Sequence, residues 1–172
     1  VLTSEQLDPA LIADMFEFIS ENGAMELFES VDIEAIHKAR NFILKELATQ
    51  LQSEFEATYA KHQLNAAYQA NTADIAQRKL ANCALLYIAK SDKKLADELV
   101  LTQISRANNM TDHIGALQAA NIAKLDCRDS VMTEFDNKWF ENGLVMDKWF
   151  ALQASLSSDC VLTNINALFN HR

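Results

Sequence analysis

Apolar side chains recur along this chain at three- and four-residue intervals, the spacing that lines one face of an α-helix, and no sheet-type alternation of apolar and polar residues is sustained anywhere. In "DPALIADMFEFISENG" Asp8 is placed to cap a helix and Pro9 to open it. Leu11, Ile12, Met15, Phe16 and Ile19 follow at helical spacing, and Gly23 reads as a left-handed stop. From Asp32 the positions Ile36, Ile43, Leu47, Leu51, Phe55 and Tyr59 predict one long amphipathic helix or two nearly collinear ones. After the polar segment "KHQLNAAYQANT" the pattern resumes with Ile75, Leu80, Cys83, Leu85 and Leu86. It resumes again after "KSDKK" with Leu95, Leu99, Val100 and Ile104, so Ser91 and Asp92 read as a tight turn between antiparallel neighbours.

The C-terminal half continues in the same way. One short helix is expected to open near Asn109 or Thr111 and another near Asp126, each with a capping oxygen and an Asp a few residues on. Val131, Phe135 and Trp139 fall four residues apart and make a core-facing stripe, which Asn142-Gly143 is expected to end. In the next helix Val145, Trp149 and Leu152 form one stripe and Met146 and Phe150 a second, a pattern of burial on most sides. Both tryptophans of the chain lie within Lys-Trp-Phe tripeptides, one in each of these consecutive helices, and their rings are expected at the seam between them. A last helix follows Ser157 and Ser158, with Val161, Ile165 and Leu168 inward. Phe135, Trp139, Met146, Trp149 and Phe150 are the expected structural core of this half.

Eight or so helices in pairs joined by short polar turns predict an all-α fold, either an up-and-down bundle or an α-solenoid array. No strict period of thirty to fifty residues marks a regular repeat. The 172 residues suffice for one domain with its own core, so residues 1–172 are expected to form a single helical module. With 3 Gly and 1 Pro the composition also favours helix over turn-rich sheet.

Charge and residue chemistry narrow the function. The formal net charge of -9 would repel a phosphate backbone, so nucleic acid is not an expected partner. No apolar run reaches the ~20 residues of a membrane span, and the chain does not open with a basic segment followed by an apolar one. Cys83, Cys127 and Cys160 lack Cys-x-x-Cys spacing and read as reduced thiols of a cytoplasmic protein. The histidines, His37, His62, His113 and His171, have no zinc-type spacing, and no glycine-rich phosphate loop exists. Paired carboxylates such as Glu54 and Glu56 or Asp126 and Asp129 read as a solvated acidic face. The run Asn108, Asn109, Met110, Thr111, Asp112 can cap its own helix or aim backbone N–H groups at a partner. Gly115, inside the following helix, suits close approach of another backbone.

The segments "ANNMTDHIGALQAA", "CRDSVMTEFDNKWFENGLVMDKWFALQAS" and, upstream, "ARNFILKELATQL" resemble the C-terminal helical domain of the bacterial aminopeptidase N family, the single-chain zinc aminopeptidases. The likeness runs from about Asp32 to the end and is most specific between Asn108 and Ser155. It implies a superhelical array of antiparallel helix pairs, armadillo- or HEAT-like, excised from a larger helical domain. Such a module is non-catalytic: it encloses the active-site cavity and shapes the access of peptides whose N-terminal residues the parent enzyme removes. The resemblance also implies zinc in the parent, whereas no His-Glu-x-x-His occurs here and no cofactor is expected in this piece. Gly23-Ala24-Met25-Glu26 matches four residues of the family's amine-binding segment but stands outside that segment's strand context and is assigned a structural role. The partners implied are the catalytic domain of the same chain and peptide substrates. Self-association through uncovered apolar surface is expected of the isolated piece. Asn108, Asn109, Met110, Thr111 and Asp112, with Asp147 and Lys148, are the candidate interdomain or cavity contacts. The contrasting expectation is an independent helical scaffold that binds a partner protein or helix.

Overall fold

The computed structural model describes residues 1–156 and 161–171; Ser157, Ser158, Asp159, Cys160 and Arg172 lie outside the described residues. Among the described residues there are ten α-helices and no strand. The chain divides into two compact units, Val1–Asp92 and Lys93 onward.

The first unit holds α1 (Pro9–Met15), α2 (Glu21–Met25), α3 (Ile33–Gln50), α4 (Gln52–His62) and α5 (Thr72–Ser91). Asp8 caps α1, its Oδ1 accepting from the Ala10 N–H at 2.7 Å, and Pro9 opens the helix as the pattern predicts. Gly23 is not the stop. It sits inside α2, where its N–H donates to the cap Ser20 Oγ at 3.0 Å, and no glycine among the described residues has positive φ. The Ser20 hydroxyl supplies a better local signal than the glycine, so the chain restarts a helix where a stop was expected. The long apolar pattern after Asp32 resolves into two helices broken at Leu51 (φ −115°, ψ 24°).

The core of this unit forms where α5 packs on α1, α3 and α4. Phe55 and Tyr87 stack with centroids 4.3 Å apart, and Phe16 meets both edge-on at 5.3 and 5.8 Å. The Tyr87 hydroxyl donates to the Phe16 carbonyl at 2.8 Å and so pins the end of α1 to α5. Arg78, buried on α5, donates to the Gln69 carbonyl at 2.8 Å and lies under the Tyr68 ring, fixing the α4–α5 connection. Ile75, counted as an inward position from its spacing, is exposed. It occupies the first turn of α5, while burial begins at Ala76 and Leu80.

The second unit holds α6 (Lys93–Arg106), α7 (Met110–Ala123), α8 (Arg128–Trp139), α9 (Gly143–Ala154) and α10 (Val161–Leu168). α7 packs against α6, α8 and α9 and buries His113, Gly115, Ala116, Leu117, Ala119, Ala120, Asn121 and Ala123. Its small side chains let three neighbours approach one helix. α7 ends at Lys124 in the left-handed region (φ 52°), with the Leu125 N–H reaching back to the Ala120 carbonyl at 3.0 Å. That closure is a Schellman motif made with lysine where glycine is usual.

Two expected boundaries move. α8 opens at Arg128 with no side-chain cap of its own. Asp97 of α6 instead accepts from the backbone N–H groups of Asp126 (3.3 Å) and Cys127 (3.0 Å), so the helix start is satisfied from another helix. Asn142 and Gly143 do not terminate α8, which closes at Phe140. Asn142 caps α9, its Oδ1 accepting from the Val145 N–H at 3.3 Å, and Gly143 is the first helical residue. An asparagine in extended conformation serves the start of a helix as well as a left-handed one serves its end, and here the former holds. α9 is also less enclosed than its double stripe predicts: Met146 and Trp149 are buried, but Leu144 is exposed. In α10 Val161, Ile165 and Leu168 are half-buried, and none of its residues is fully buried.

Candidate functional site

The polar turn before α7 is built as a cap. Asn109 Oδ1 accepts from the Asp112 N–H at 2.9 Å, and its amide donates to Asp112 Oδ2 at 2.7 Å and to Asn108 Oδ1 at 3.1 Å. Gln103 of α6 donates to the Asp112 carbonyl at 2.8 Å, which ties the turn to the preceding helix. Asn108, Asn109 and Asp112 are thus brought together by hydrogen bonds, while Thr111 is exposed and Met110 half-buried. Asp147 and Lys148 sit elsewhere, exposed on α9.

The α8–α9 seam is largely apolar and carries a directed bond from a tryptophan. Trp149 is buried and its Nε1–H donates to the Met132 carbonyl at 2.9 Å. Phe135 and Met146 are buried beside it; Trp139 and Phe150 are half-buried. Trp139 lies with its ring 6.3 Å from Phe135 and with the Lys138 ammonium 5.5 Å from its centroid. Phe140, the last residue of the first Lys-Trp-Phe, points outward.

Sequence reasoning missed a polar knot that joins α7, α8 and α9. Asn121, buried in the last turn of α7, donates to the Leu152 carbonyl at 2.9 Å and to Ser155 Oγ at 3.3 Å, and accepts from Arg128 Nε at 2.9 Å. Arg128 also donates to Gln153 Oε1 and, at 2.6 Å, to Asp129 Oδ1. Its only sequence signal is an asparagine within an alanine-rich apolar stretch. His171 carries no sequence signal of its place either: it is half-buried, its Nε2 lies 3.0 Å from Asp136 Oδ2, and its ring packs against Trp149 and Phe150 at 4.8 and 5.2 Å.

A cavity of about 10 Å³, room for roughly one water, lies among Ile104, His113, Leu117, Val131, Glu134, Phe135 and Lys138. Burial of the His113 ring, and then the Lys138 charge, lower its pKa below the ordinary imidazole value, against the pull of Glu134, the Asn109 backbone and Asp112. The two described thiols do not suit nucleophilic work. Burial, and then Glu17, push Cys83 up to about 12; burial and the Asp97 carboxylate push Cys127 up to about 12. A thiol so raised holds its proton at neutral pH.

The sequence has no His-Glu-x-x-His, and among the described residues no group of three His, Cys, Asp or Glu side chains could hold a metal ion. Among the described residues no helix is long and apolar enough to cross a membrane.

This all-helical chain belongs to the family described as "Domain of unknown function (DUF3458_C) ARM repeats", which matches residues 1–172. At the level of individual proteins it is similar to the Aminopeptidase N of Escherichia coli (strain K12). The two are 45% identical over 173 residues, covering 100% of this chain and 20% of that protein. The Aminopeptidase N of Haemophilus influenzae is 39% identical over 171 residues, covering 99% of this chain and 19% of that protein. In fold it matches the crystal structure of Legionella pneumophila aminopeptidase A in complex with aspartic acid, with a TM-score of 0.82 at 21% identity over 99% of this chain and 21% of that one. The chain thus spans about a fifth of the length of the curated relatives it matches. It corresponds to their C-terminal helical region and not to a catalytic domain.

Proposed function

We propose that this chain is the non-catalytic helical wall of a cytoplasmic, zinc-dependent aminopeptidase, enclosing the cavity in which N-terminal residues are removed from peptides and shaping peptide access to it. The carrying observation is the match to Aminopeptidase N along the whole chain, at 45% identity, by a sequence that lacks His-Glu-x-x-His. In this reading zinc and the general base belong to the catalytic domain of the same polypeptide, and peptides are its substrates. Asn108, Asn109, Met110, Thr111 and Asp112, with Asp147 and Lys148, are proposed contacts to that domain or to the cavity; Asn108, Thr111, Asp147 and Lys148 are the exposed members, which suit such contact best. Phe135, Trp139, Met146, Trp149 and Phe150 serve as the packing that holds α8 to α9.

The test is an assay of the full-length parent on an amino-acid anilide. Turnover that a chelator abolishes and zinc restores is expected from the parent, and none from residues 1–172 alone. Zinc-dependent turnover by residues 1–172, or an open reading frame without an upstream His-Glu-x-x-His, refutes the proposal. The second outcome favours an independent scaffold.

A further inference from the structure

The connection between α2 and α3 has the wrong chemistry for a free loop. Connections that face water are built from small polar residues, Gly and Pro. Here Leu27, Phe28 and Val31, with Ile33 at the first position of α3, are 74%, 57%, 44% and 61% exposed. They occupy four of the seven positions from 27 to 33 and form an apolar strip of the kind that marks an interaction surface.

The strip is presented on a fixed base. Glu21 of α2 meets His37 Nδ1 of α3 at 2.7 Å, the other ring nitrogen of His37 meets the Asn41 amide at 2.9 Å, and Arg40 Nε donates to the Ile19 carbonyl at 2.9 Å. Asp32 caps α3 through the Ala35 N–H at 2.9 Å. The Glu21–His37 contact ties α2 to α3, and the Arg40–Ile19 bond ties α3 to the residue before the α2 cap, so the two ends of the apolar segment are held together.

Its rim is acidic. Residues 21–34 carry Glu21, Glu26, Glu29, Asp32 and Glu34 and no Lys, Arg or His. Glu21 is engaged with His37, Asp32 with its cap and Glu34 with Lys38, while Glu26 and Glu29, both exposed, flank Leu27 and Phe28. A second copy meeting this face by two-fold symmetry would bring these same carboxylates against each other. An anionic lipid surface would be repelled in the same way.

We infer that Leu27, Phe28, Val31 and Ile33 form a docking strip for another part of the same parent polypeptide, one that presents an apolar patch rimmed by Lys or Arg. The inference rests on the reading that this chain is one part of a longer aminopeptidase, since it spans about a fifth of the relatives it matches.

The experiment uses the full-length parent, with Leu27→Cys, Phe28→Cys and Val31→Cys made singly and thiol labelling at each site followed by peptide mass, in native buffer and in denaturant. Labelling at least about ten-fold slower in the native protein at all three sites is expected of a covered strip, and native rates near the denatured ones overturn it. In parallel, a zero-length carbodiimide should join Glu26 or Glu29 to lysines outside residues 1–172. Cross-links confined to residues 1–172, or protection lost on dilution as for a second copy, also overturn it. Peptidase activity of the unsubstituted parent is measured alongside. Activity with unprotected cysteines refutes the docking strip alone, whereas protection without activity refutes the aminopeptidase reading alone.

Discussion

Trp149 is the residue on which the α8–α9 seam turns, because it combines a buried ring with a directed bond to the Met132 carbonyl. Replacing it with Phe removes the bond and part of the volume, and should lower stability by about 1–2 kcal/mol in urea unfolding followed by far-ultraviolet circular dichroism. His113 gives the same unit a pH dependence. Its folded pKa is lowered, by burial and then by Lys138, so below the ordinary value of 6.5 the unfolded chain takes up a proton that the folded chain resists. Stability is therefore expected to fall as the pH drops from 6.5 towards the folded value, and His113→Leu should flatten that slope in denaturation midpoints measured at successive pH values. The inward position of Trp149 was legible in its helical stripe. The Asn121–Arg128 knot was not legible, because its members lie on three helices and hydrogen bonds across helices leave no periodic trace.

Helix existence was written in the three- and four-residue spacing; helix ends were less so, because an end is set by whichever cap wins locally. Gly23 and Gly143 carried stop signals in the sequence, yet each lies in the first turn of a helix whose Ser20 or Asn142 side chain accepts from its early N–H groups. The start of α8 shows the limit most clearly, since its cap is supplied from α6 by Asp97. Partial burial works to raise that carboxyl. The hydrogen bonds from Cys127 and Asp126, with Lys93 near, outweigh it and hold the pKa below 3.8. Asp97→Ala should cost about 1–2 kcal/mol, the range of a lost helix cap, read from the shift in urea midpoint. In the unsubstituted protein the carboxylate's contribution is complete above 3.8 and is lost as the pH falls through the lower folded value, so Asp97→Asn should reduce the loss of stability in that acid range.

Across the whole molecule, the most protected backbone should lie where burial is densest. Leu80, Ala84, Leu85, Ile88 and Ala89 of α5 and Ala116, Leu117, Ala119 and Ala120 of α7 have no exposed surface, so amide exchange followed by mass spectrometry should be slowest in α5 within the first unit and in α7 within the second. α10, without a fully buried residue, should exchange early. The division into two units falls at the short polar break of Ser91 and Asp92. It has a practical optical consequence. Tyr59, Tyr68 and Tyr87 all belong to the first unit, and Trp139 and Trp149 both belong to the second. Selective excitation of indole emission therefore watches α8 and α9 alone, while phenol absorbance watches the half that carries no indole, giving each half an intrinsic chromophore without any label.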